Sequence, residues 1–407
     1  MITQITLNNF FSFGGSNDPI KLNSGANILV GINGTGKSNL IKAIHLLYES
    51  IAGQGLEKIL NKWGGFLDIV NFTEEDTKAI KIKYEFDKEV ISSVLNRRGH
   101  PFLTNPIYEI EIHKLGNAGG YYLSEWLYSK NSTHEDPFTY LRVTSGRGIV
   151  SSKTSKNSKE VKLRQEVFAE QELVLRQISD PDAYYPLYTL KKAIEELGVY
   201  NYFDTTLEST IRGLSPFYSE QKLLSNGENL THLLNHLNGN HTATYDKMLK
   251  IFRTTLNANV RDLVFLQPTQ GKTLLLLKEH NLSRAIPISN ISDGTLRFLL
   301  LLSIFYNPNR GKLICIDEPE TGLHPDMIRT IAEGIQYASQ NGTQVVVATH
   351  SPLLLNAFDL EDLRIFEKDA NNATIVSAKS ESDFEDWQGE FLVGQMWLNG
   401  QIGGVRW

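Results

Sequence analysis

Apolar residues recur along this chain with two different periods, and each change of period marks an element. Ile2, Ile5 and Leu7 sit among polar neighbours, an imperfect half-buried strand, and a second short strand is expected at 20–22 beyond the turn-rich segment 14–19. Ile28, Leu29 and Val30 form a short apolar run that stops at Gly31, as a strand buried on both faces would. Leu40, Ile41, Ile44 and Leu47 then take helical spacing. Ile80, Ile82, Tyr84 and Phe86 alternate with Lys81, Lys83 and Glu85, and Tyr108, Ile110 and Ile112 alternate with Glu109 and Glu111. Both patterns predict antiparallel strands with one solvated face. Residues 144–158, rich in Ser, Thr, Lys and Gly, read as a flexible loop or domain junction, and 160–177, 187–197 and 229–237 read as helices. Strands resume near 260–266 and 273–277, and the last third alternates helix and strand as in a parallel sheet. No heptad pattern is sustained, so no long coiled coil is expected.

The chemistry lies at two of these strand ends. Gly31-Ile32-Asn33-Gly34-Thr35-Gly36-Lys37-Ser38 has the form GxxxxGKS between a buried strand and an amphipathic helix. Glycines let such a loop turn its N–H groups toward phosphates at a helix N-terminus, with Lys37 on the β- and γ-phosphates and Ser38 on Mg²⁺. Roughly 275 residues later, Leu313-Ile314-Cys315-Ile316 runs into Asp317-Glu318. A carboxylate at that strand end serves magnesium directly or through water, and Glu318 is the candidate general base for an attacking water. The strand 344–348 ends at Thr349-His350-Ser351-Pro352, on the edge where open α/β sheets bind ligands, which makes His350 a candidate γ-phosphate sensor. Ser289-Asn290-Ile291-Ser292-Asp293-Gly294-Thr295 precedes an apolar helix; Ser292 or Asp293 can cap it, and the same helix N-terminus can take an anion.

Composition narrows the class only a little. The net charge of −6, from 46 acidic and 40 basic residues, offers no global basic field for nucleic acid. Lys153, Lys156, Lys159, Lys162 and Arg164 are the best local basic run, a pattern that more often marks a solvated loop. The single cysteine, Cys315, excludes intrachain disulfides and CxxC zinc sites, and its apolar surroundings mark it as a buried structural thiol. The opening Met1-Ile2-Thr3-Gln4-Ile5 has no secretory pattern and the most apolar stretch, 298–305, is too short to span a bilayer. The expectation is a cytoplasmic chain without a membrane partner.

Taken together, GINGTGKSN, ISDGT, LICIDEPETGLHP and VVVATHSP resemble the glycine loop, degenerate signature, extended Walker B and switch histidine of ABC-type ATPase heads of the RecF, SMC and OLD group. Compact OLD-like AAA-family ATPases of prokaryotic defence systems are the nearest match. Residues 223–230 and 396–404 are compatible with that group, so the resemblance touches both ends of the chain. It implies an α/β fold: a P-loop head with a mixed or parallel core sheet, an antiparallel β-subdomain and a helical insertion. The corresponding division is 1–143, 144–240 and 241–407. It further implies a head-to-tail dimer, or a higher oligomer, with ATP and Mg²⁺ held between chains. Gly31, Asn33, Gly34, Thr35, Gly36, Lys37, Ser38 and Asn39 of one chain would hold the nucleotide, and Ser292 and Gly294 of another would touch its γ-phosphate. Ser38 and Asp317 would serve the metal, Glu318 the water and His350 the γ-phosphate. Asp293 stands where transporters have glycine, and no glutamine is placed for the Q-loop, since Gln54 comes early for it.

Larger OLD nucleases carry a C-terminal Toprim domain, whereas only 57 residues follow His350 here, and no HNH-like histidine cluster is present. The leading expectation is therefore an ATPase, with hydrolysis slow or dependent on a partner, that acts as a switch for a separate effector. By the resemblance that effector is a nuclease used against phage. Two alternatives stay open: a DNA-repair or DNA-end-binding ATPase of RecF or SMC type, and a scaffold that holds ATP without hydrolysing it.

Overall fold

Strand formation starts where the periodicity predicts it, with β1 (Ile2–Asn8), β2 (Ile20–Lys21) and β3 (Ala26–Val30). The computed structural model describes residues 1–72, 77–95, 101–116, 119–131, 136–153, 161–256, 259–269, 271–383 and 392–403. Its contacts divide the chain into two interleaved units. One comprises Met1–Ser24, Gly31–Leu197 and Ile365–Ser377; the other comprises Gly25–Val30, Gly198–Arg364 and Ala378–Trp407.

The first unit is built on an antiparallel sheet. After β1 and β2 come β4 (Ala79–Phe86), β5 (Pro106–Leu115), β6 (Gly120–Ser129), β7 (Phe138–Thr144), β8 (Arg147–Lys153) and β9 (Val161–Val167). The eight strands lie in the order β2-β1-β4-β5-β6-β7-β8-β9. Alternate residues of β4 are buried, and its polar face pairs across the sheet: Lys81 with Glu111 at 2.5 Å and Lys83 with Glu109 at 3.2 Å. The helix Lys37–Ile51 buries Leu40, Ile41, Ile44 and Leu47, and the fully buried Tyr84 hydroxyl donates to the Ala43 carbonyl at 2.7 Å.

Two expectations fail here. Residues 144–153 form a tight hairpin into β8, in which Ser145 and Gly146 both take positive φ (47° and 70°), the geometry of a two-residue turn. Residues 161–167 are the strand β9, and helix is confined to Val174–Gln177. Charged residues at 162, 164 and 166 suit a helix by propensity, but here they line a strand at the end of the sheet order, where no buried face is needed. Lys162 and Arg164 of the basic run lie on β9 and Lys153 ends β8, while Lys156 and Lys159 lie outside the described residues, as does Gly404.

In the second unit the strands are β10 (Leu197–Tyr200), β11 (Ser215–Pro216), β12 (Val260–Thr269), β13 (Lys272–Glu279), β14 (Ile286–Pro287), β15 (Leu313–Asp317) and β16 (Gln344–Ala348). β10, β15, β16 and β3 stand side by side in that order. β15, β16 and β3 run parallel, with Asp317 opposite Ala348 and Ala348 opposite Leu29. β3 and β16 are buried along their whole length, as parallel strands covered on both faces must be. The helix Asp293–Phe305 is apolar nearly all round and buried, while Pro325–Gln340 buries one stripe, Ile328, Ile331, Ala332, Gly334, Ile335 and Ala338. Cys315 is fully buried, and burial pushes its thiol well up, as expected of an inert structural cysteine. β11, β13, β12 and β14 make a separate antiparallel sheet. A hairpin of β17 (Leu363–Lys368) and β18 (Thr374–Ser377) returns the chain to the first unit. Among the described residues, no helix is long and apolar enough to cross a membrane.

Glu125 on β6 gives the first unit a pH dependence. It is fully buried and accepts hydrogen bonds from the Tyr108 hydroxyl at 2.5 Å and the Val174 amide at 2.8 Å. Burial pushes its carboxyl up to about 7, against the opposing pull of those donors. The folded chain therefore holds this proton more tightly than the unfolded one, so stability falls as pH rises from the usual carboxylate range to about 7. The loss is on the order of 3 kcal/mol. Denaturant midpoints measured between pH 5 and 7.5 should decline in the native chain, and Glu125→Gln should flatten that decline; an unchanged slope would refute it.

Candidate functional site

The glycine loop leaves β3 at Gly31 and ends at the helix starting with Lys37. Gly36 carries φ 106°, and a Cβ there would collide with the hydroxyls of Thr374 and Ser12, so only glycine fits. Those two hydroxyls brace the loop from outside. The Thr374 hydroxyl donates to the Thr35 carbonyl at 2.7 Å, and the Asn39 side-chain Nδ2 donates to Ser12 Oγ at 2.7 Å. Lys37 is buried and folds back over its own loop, its ammonium donating to the carbonyls of Gly31 at 2.8 Å and Ile32 at 3.1 Å. Ser12 and Thr374 carry no motif of their own, so the sequence reading missed them.

Within the second unit, Asp317, Glu318 and His350 share one edge. β15 and β16 end at the same level because Asp317 pairs with Ala348. The Glu318 amide donates to the Ala348 carbonyl at 2.9 Å and the Thr349 amide to the Leu29 carbonyl at 3.2 Å, tying the exits of the strands together. Glu318 takes φ 49°, a left-handed conformation that costs a non-glycine residue about 1 kcal/mol and collects at functional sites. His350 Nε2 lies 3.5 Å from Glu318 Oε1, with both side chains partly exposed. Glu320 holds the turn behind this pair: its Oε1 accepts from the Thr349 hydroxyl at 2.6 Å and from the His350 amide at 2.8 Å. Glu320 was visible in the DEPE string, but nothing in its spacing distinguished it. A cavity of about 260 Å³ beside Asp317 and Glu318 is lined also by Asn201, Tyr202 and Arg297. Asn201 is the residue that leaves β10, the strand next to β15.

The segment 289–295 belongs to the same unit. Ser292 caps the helix Asp293–Phe305, its Oγ accepting from the Thr295 amide at 3.3 Å. Ser292 and Asp293 are exposed. A Cβ on Gly294 would sit 2.9 Å from the Gly322 carbonyl, so glycine is required by the close approach of the segment that follows the carboxylate pair. The structure thus groups Asp317, Glu318, His350, Ser292 and Gly294 in the second unit. Gly31, Asn33, Gly34, Thr35, Gly36, Lys37, Ser38 and Asn39 are in the first.

Residues 26–356 match the family described as "AAA domain, putative AbiEii toxin, Type IV TA system". The Old nuclease of Escherichia phage P2 is 35% identical over 80 residues, a match covering 17% of this chain and only 14% of that relative. Among solved structures, the chain is similar to an Smc head bound to the C-winged helix domain of ScpA, with a TM-score of 0.59, 15% identity, and 94% and 98% of the two chains covered. It is also similar to an Smc head domain with an extended coiled coil, bound to the C-terminal domain of ScpA, derived from Pyrococcus furiosus. There the TM-score is 0.55, the identity 12% and the coverage 94% and 97%. At such identities the likeness is one of fold. Every residue from Gly31 to His350 discussed above falls inside the matched span, and the chain belongs to this AAA-domain family, with the α/β fold of the Smc head domains it resembles.

Proposed function

We propose that this chain binds ATP with Mg²⁺, hydrolyses it, and uses the cycle to switch a separate effector. The observation that carries the reading is the common exit of β15 and β16, which sets Asp317, Glu318 and His350 on one edge, while the neighbouring β3 runs directly into Gly31. The donors suit the ligand. Backbone N–H groups at a glycine-rich helix N-terminus fit phosphate, and the Ser38 hydroxyl and Asp317 carboxylate are the hard oxygen ligands magnesium takes. Glu318 would orient and deprotonate the attacking water, with His350 fixing its carboxylate and meeting the γ-phosphate. Asn201 lines the same cavity as Asp317 and Glu318, which puts a side-chain amide beside the two carboxylates.

The exposed Ser292 and Asp293 edge supports the second half of the proposal, closure of two chains over shared nucleotide. Ser292 and Gly294 of one chain would complete the pocket formed by the glycine loop of another. The likeness to the phage Old nuclease supports a nuclease as the effector class, and defence against phage as the setting.

Glu318→Gln should keep ATP affinity within a few-fold and lower kcat by at least about 100-fold. The stalled protein should accumulate as an ATP-dependent dimer in light scattering. Undiminished turnover, or a monomer at saturating ATP, would contradict the reading. Glu320→Ala should lower kcat by about tenfold with little change in KM, since it loosens His350 without touching nucleotide; a KM effect alone would show that Glu320 has another role.

A further inference from the structure

Arg212 grips the signature loop from outside it, through the carbonyls of Ile288, Ser289 and Ile291 and the Asp293 carboxylate. Its side chain is 2% exposed, and all its donor groups face that loop or its support. Nε donates to the Thr205 carbonyl at 2.9 Å. One terminal nitrogen donates to the carbonyls of Ile288 at 3.0 Å, Ser289 at 3.2 Å and Ile291 at 2.6 Å. The other meets Asp293 Oδ1 at 2.5 Å. Thr205 is tied in turn to Arg297, whose Nε donates to its hydroxyl at 3.3 Å and whose Nη1 donates to the Thr321 carbonyl at 3.2 Å. The clamp is thus anchored on the segment that follows Glu318.

The arrangement explains Asp293. A carboxylate on the first turn of a helix suits the helix dipole but opposes an incoming anion on the same edge. Three carbonyls pointed at Arg212 are likewise turned away from that edge. A guanidinium fork satisfies all of them at once, which a lysine cannot do.

We infer that Arg212 is a positioning residue for ATP-driven closure: it fixes the signature loop and neutralises Asp293 so that the loop can accept the γ-phosphate held by another chain. The inference rests on the two-chain closure proposed above. It acts in trans, which separates it from a role in folding. Arg212→Gln should leave ATP binding by the chain itself within a few-fold, because its own glycine loop is intact, but weaken ATP-driven dimerisation and turnover at least about tenfold. Adding Asp293→Asn should recover part of that loss by removing the uncompensated charge.

The decisive experiment mixes Arg212→Gln chains with Lys37→Ala chains and measures ATPase rate. Each variant alone is defective, but a mixed pair has one composite site with an intact loop and an intact signature. Activity well above the sum of the two is expected; no gain on mixing would overturn the inference. Recovery also proves that the Arg212→Gln chain folds. If that chain binds no ATP, Arg212→Lys replaces it in the same mixture with the same two outcomes. Failure of the unaltered protein to dimerise or turn over ATP would instead remove the underlying two-chain reading.

Discussion

Parallel register at one sheet edge is the constraint on which the rest depends. Asp317, Ala348 and Leu29 lie at one level across β15, β16 and β3, and the amides of Glu318 and Thr349 are spent on the carbonyls of the neighbouring strands. A strand shifted by one residue would turn every side chain to the opposite face. Here it would carry Asp317 away from the edge and separate Glu318 from His350. The left-handed backbone at Glu318 is held by this ladder, so local strain is offset by the buried strands behind it.

Beside this edge and the helix that starts at Asp293, polar side chains fix the backbone around them through several hydrogen bonds. Glu320 uses one oxygen to hold both Thr349 and the His350 backbone. Arg212 uses its whole fork to hold a loop far from it in sequence. Both are hydrogen-bonded positioning groups that set a geometry for others. Rigid placement of that kind suits the proposed hydrolysis, in which a site must align water and phosphate.

Much of this was legible in the sequence because the chemistry sits in short, continuous strings. The glycine loop, the DE pair and the TH pair each follow an apolar run that can only be a buried strand, and Ser292 sits where a helix cap belongs. The failures have physical causes. β8 and β9 have no sustained alternation of buried and exposed positions, since Gly148, Ser151 and Ser152 contribute little apolar surface and β9 ends the sheet order. Their strand character comes from backbone ladders with partners, which no local pattern reports. Ser12, Thr374 and Arg212 act across long sequence separations, 81 residues in the case of Arg212 and Asp293, and a single chain's spacing holds no sign of such pairs.

The proposed closure of two chains over one triphosphate is open to a direct test in a structure of the Glu318→Gln protein with Mg-ATP. Nucleotide should lie on the loop of residues 31–38 of each chain, with Ser292 and Gly294 of the other chain within hydrogen-bonding distance of its γ-phosphate. Nucleotide bound by a single chain, with residues 289–295 of every neighbour turned away from it, would rule out closure of that kind.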